Sequence, residues 1–64
     1  MYDNNVYNLM LQLTQEHKSL WRIKNMYKKD AENDEERAFW DKLEKDKEEH
    51  IKELTELIKS RVSE

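Results

Sequence analysis

The sequence predicts an all-α fold, an antiparallel helical hairpin that dimerises into a four-helix bundle. Three observations predict it. Apolar residues recur at helical spacing along both halves of the chain. Gly and Pro are absent, and with them the usual punctuation of a sheet with tight turns. A single helix-start signal, Asn33 followed by Glu36, falls near the middle. Residues 1–64 therefore read as one unit of two helices.

The first helix is expected over about residues 4–29. Its apolar positions are Val6, Leu9, Leu13, Leu20, Ile23 and Tyr27. The spacings are 3, 4, 7, 3 and 4, a heptad stripe in which Glu16 holds the skipped position. Met10 and His17 flank the stripe, and Met10 and Met26 read as gap fillers. Asp3 is the expected N-cap. Lys28 and Lys29 complement the helix dipole in the last turn. The lysine-rich stretch from Lys24 to Lys29 otherwise reads as a solvated face.

The turn is expected over about residues 30–33. Asp34 and Glu35 then place negative charge at the start of a second helix, over about residues 34–62. The acidic run Asp30 to Glu36 reads as this helix-start preference. Trp40, Leu43, Leu54 and Leu57 hold the stripe, with Lys47 and His50 between them. Phe39, Ile51, Ile58 and Val62 widen the apolar face beyond a narrow seam.

Composition removes several classes of function. Without Cys there is no disulfide framework and no thiolate metal site. Without Gly there is no phosphate-cradling loop. Ser19, Ser60 and Ser63 have no suggested base, so no nucleophilic triad is expected. The net charge of -3 disfavours nucleic acid and anionic membrane as partners. No apolar run approaches the roughly 18–20 residues of a membrane span, and residues 1–5 lack a signal-peptide pattern. A cytoplasmic location is expected. A chain this short buries only about 60% of its unfolded surface. A lone hairpin leaves one side of a wide apolar face wet, so a homodimer is expected.

In a hairpin that turns near residues 30–33, residues whose numbers sum to about 63 lie level. Leu20 then faces Leu43, Ile23 faces Trp40, Leu9 faces Leu54 and Val6 faces Leu57. These pairs, with Leu13, form the expected core and interface. The same rule sets Glu16 beside Lys47 and His17 beside Asp46, with His50 near Leu13. A polar layer of Glu16, His17, Asp46, Lys47 and His50 thus interrupts the stripe. Such groups must satisfy one another, bind something or reach water.

The segment Leu43-Glu44-Lys45-Asp46-Lys47-Glu48-Glu49-His50-Ile51-Lys52-Glu53-Leu54 resembles the second helix of the rubrerythrin and ferritin-like hairpin. Gln15-Glu16-His17 followed by Leu20-Trp21 resembles the first helix. The resemblance covers about residues 9–58. It implies a four-helix bundle holding two metals, iron or manganese, for redox chemistry. Carried over residue by residue, Glu16 matches the first-helix ligand and His50 the histidine. Asp46, His17 and Glu53 are weaker candidates for the ligand set. The position three before His50 is a ligating Glu in that family and is Lys47 here. An ammonium cannot ligate, and it sits where the cation would.

The residues themselves favour a polar layer without cofactor, in which Glu16 pairs with Lys47 and His17 with Asp46. The expected function is a small, non-enzymatic, self-associating helical module. The alternatives are a ferritin-like metal-binding or redox protein with a site formed across a dimer, and a module that binds another protein through an aromatic face around Trp21, Trp40 and Phe39.

Overall fold

A computed structural model describes residues 4–63. The expected cap Asp3 lies outside the described residues. The chain is all-α, with no strand among the described residues. Helix α1 runs Asn4–Arg22 and passes without a break into a π-helical turn, Ile23–Tyr27. A single further turn, α2, covers Lys28–Asp30. After a break at residues 31–33, helix α3 runs Asp34–Val62.

The break is made without glycine and without a positive φ among the described residues. Ala31 turns extended, at φ -61° and ψ 132°, and ends the first arm. Asn33 is also extended, and its Oδ1 accepts the Glu36 N–H at 2.8 Å. The Glu36 carboxylate reaches back, but accepts from the Glu32 N–H at 3.1 Å. This satisfies two backbone donors, one residue displaced from the usual reciprocal box. Three acidic residues in the first turn and Lys59 and Arg61 in the last follow the helix dipole.

The π turn departs from the expected continuous α-helix over residues 4–29. The Lys28 N–H bonds to the Ile23 carbonyl, five residues back. One extra residue is thereby wound into the turn, and the phase of the helix shifts. The Asn25 side chain donates to the Trp21 carbonyl at 2.9 Å, where the ladder changes pitch. Ile23 is the most buried side chain described, at 1% exposure. The next inward residue is Lys28, not Tyr27, which the strict heptad had placed on the stripe.

From Tyr27 back to Glu16, the partners of the first arm run from Trp40 to His50 along α3. Tyr27 stacks on Trp40 with ring centroids 5.0 Å apart. Lys28 reaches Asp41 and Glu44, Lys24 reaches Glu48, and Glu16 reaches Lys47 and His50. The two arms form a slender body of 47 × 14 × 13 Å. Its radius of gyration is 14.6 Å, against about 11 Å for a compact domain of this length.

The core is correspondingly thin. Among the described apolar residues only Val6 and Ile23 are buried. Leu9, Leu13, Leu20, Trp40, Leu43 and Leu54 are half-buried. Leu57, expected opposite Val6 in the core or interface, stands 53% exposed in the single chain.

Candidate functional site

Glu16 is the buried charged residue among those described, at 5% exposure. It sits mid-way along α1, on the stripe that carries Val6, Leu9, Leu13, Leu20 and Ile23. Burying a carboxylate costs on the order of several kcal/mol unless it is paired and hydrogen-bonded. Here both oxygens are used. The Lys47 ammonium donates to Oε2 at 2.7 Å, and His50 Nδ1 lies 2.6 Å from Oε1. A carboxylate only accepts, so Nδ1 carries the proton and donates. Nε2 is then left for solvent, and the His50 side chain is half exposed.

Lys47 and His50 are one turn apart on α3, which brings both over the same carboxylate. Burial pushes the Glu16 carboxyl up, but the hydrogen bonds and charges of Lys47 and His50 outweigh it and hold the group below its ordinary value. The layer is therefore a satisfied anion with two donors. No buried side-chain nitrogen or oxygen among the described residues lacks a partner.

The remaining expected site residues do not join it. His17 and Asp46 are both exposed, and no hydrogen bond or ion pair joins them among the described residues. Glu53 is also exposed, beside Glu56 and Leu57 around a shallow hollow. The expected Glu16 and Lys47 are in contact, and so are Glu16 and His50, across sequence separations of 31 and 34.

A metal does not fit this donor set. Among the described residues no three His, Cys, Asp or Glu side chains converge as a ligand group. The Lys47 ammonium bonds Oε2 and neutralises the carboxylate that would bind a cation.

A second polar cluster escaped the sequence pattern. Lys28, expected on a solvated face, is half-buried and pairs with Asp41 at 2.7 Å and Glu44 at 3.1 Å. The Asp41 bond first, then the Glu44 bond, raise the Lys28 ammonium above its ordinary value. The Lys28 bond holds Asp41 below its own. Lys24 and Glu48 extend the cluster at 4.0 Å. The signal in the sequence was the pair Asp41 and Glu44, one turn apart on α3. The phase shift of the π turn hid their partner.

Asp41, Glu44 and Glu48 share one flank of α3. Phe39, His50 and Leu57 lie on the opposite flank, because 100° per residue separates the two sets by roughly half a turn. Ion pairs therefore bridge the arms along one flank, and the Glu16–His50 bond lies towards the other. The aromatic residues are divided as well. Trp40 contacts Tyr27 and Phe39, whereas Trp21 is in no ring contact among the described residues.

No protein-family model, curated protein or solved structure matches the chain.

Proposed function

We propose that the chain is an antiparallel helical hairpin that works as a self-associating, non-enzymatic module, two copies forming a four-helix assembly. The carrying observation is surface that one copy does not bury. The chain exposes 5188 Å², whereas a compact chain of 7.9 kDa exposes about 4,400 Å². The excess, roughly 800 Å², is about what each partner contributes to a standard protein interface. Phe39, Leu57, Trp21, Tyr7 and Leu11 are about half exposed or more. Such a chain gains most of its missing burial by association.

In this reading Glu16, Lys47 and His50 set register. Sliding one arm along the other by a turn would leave the buried carboxylate with one of its two donors, and losing a donor costs more than the bond contributes when made. The polar layer thus selects one alignment of the arms rather than adding much stability. Sedimentation equilibrium tests the proposal. A dimer that dissociates on dilution supports it, and a monomer at every concentration overturns it.

A second reading, in which another protein docks at Trp21, is favoured by that residue's 59% exposure on α1. In that case the isolated chain sediments as a monomer.

A further inference from the structure

We infer that the second copy docks on one stripe of α3, running antiparallel to its own copy in the partner. The inference rests on the self-association proposed above and names its surface. Phe39, Leu43, Asp46, His50, Glu53 and Leu57 recur at spacings of 4, 3, 4, 3 and 4, so they share one helix face. The stripe is self-complementary about the level of residue 48. Turned end for end, Phe39 meets the partner's Leu57 and Asp46 meets the partner's His50, and each contact occurs twice, as a two-fold interface requires.

Four observations favour this face and this occupant. The opposite flank of α3 is already engaged within the chain, through Asp41, Glu44 and Glu48 and their lysines. The free stripe has apolar ends, Phe39 at 54% and Leu57 at 53% exposure. Its centre carries a carboxylate and an imidazole, with Asp46 exposed and unpaired among the described residues and His50 half exposed beyond its Glu16 bond. A hollow lined by Glu53, Glu56 and Leu57 lies at one end of the stripe, and one lined by Glu35, Glu36, Phe39 and Trp40 at the other. Each hollow receives the apolar residue from the far end of the partner's stripe. The same alignment sets Leu43 level with the partner's Glu53, with Lys42 next to it.

The absence of cysteine makes a direct test available. Positions 39 and 57 lie about 27 Å apart along one helix at about 1.5 Å per residue. The variant Phe39→Cys/Leu57→Cys therefore cannot close a disulfide within one chain. Oxidised at low protein concentration, it is expected to yield a covalent dimer, whereas Tyr7→Cys/Trp21→Cys, the equivalent pair on α1, is not. Asp46→Lys, at an exposed position that leaves the fold intact, is expected to weaken dimerisation at least tenfold, and Trp21→Glu to leave it unchanged. If the parent chain dimerises but the α1 cysteine pair cross-links and the α3 pair does not, the docking face is wrong while self-association stands. If the parent is a monomer throughout, both fall.

Discussion

The Lys47 ammonium stands 2.7 Å from the Glu16 carboxylate, across 31 positions of sequence and in the middle of an otherwise apolar stripe. The two residues are not equivalent. Glu16 is buried, whereas the long Lys47 stem reaches the surface. Removing the lysine leaves a buried carboxylate with His50 as its remaining donor, but removing the glutamate releases a cation that swings out to solvent.

Lys47→Ala is therefore expected to cost about 1–3 kcal/mol, the range for a buried group that loses a partner. Glu16→Leu is expected to lie within about 1 kcal/mol of the parent or to stabilise it, as when buried ion pairs are replaced by apolar residues. Chemical denaturation of the two variants checks this. Equal losses would contradict the asymmetry.

Acid should expose the same carboxylate. Glu16 titrates below its ordinary value of 4.5 in the folded chain. Its contribution is fully present above the ordinary value, where the unfolded chain is also ionised. It is lost as pH falls from there through the depressed folded value. The parent should lose stability below about pH 4.5 more steeply than Glu16→Gln, which keeps Asp41 and every other carboxylate. Parallel pH profiles for the two would show that the Lys47 and His50 bonds do not form in solution.

How much of this was legible in the sequence differs from residue to residue. The break is written locally, in the Asn33 cap and the Glu36 that follows it. Glu16 shows as a polar residue where a heptad required an apolar one, and the level rule places it beside Lys47. The Lys28 cluster was not legible. A π turn changes phase through one wound-in residue, and nothing in the periodicity marks it, since Tyr27 satisfies the heptad as well as any apolar residue. The expected pairing of His17 with Asp46 follows from level alone. Level ignores azimuth, and both side chains point to solvent.

Lys47→Glu inverts the charge facing Glu16 and restores the Glu-x-x-His spacing that the ferritin-like resemblance implies. Without metal the variant should be less stable than the parent, because like carboxylates repel and their pKa values rise. With Mn²⁺ it should regain stability, since binding to the folded state adds to folding free energy. Thermal melts with and without Mn²⁺ check both effects. A parent chain that gains as much as the variant would mean that the lysine does not block the site.

The two tryptophans should respond differently. Trp40 is half-buried and contacts both Tyr27 and Phe39, at centroid distances of 5.0 and 5.3 Å. Trp40→Ala is expected to cost about 2–3 kcal/mol, below the loss for a fully buried tryptophan. Trp21→Ala, at an exposed site outside the proposed interface, should stay within about 0.5 kcal/mol. Reversed magnitudes would place the docking surface on α1.

Self-association is the central claim, and the dependence of the melting temperature on protein concentration tests it most directly. A module that completes its burial by pairing must melt at higher temperature as concentration rises, with sedimentation showing the dimer over the same range. The account predicts that rise. A melting temperature that stays constant with concentration, with a monomer at every point, would contradict it.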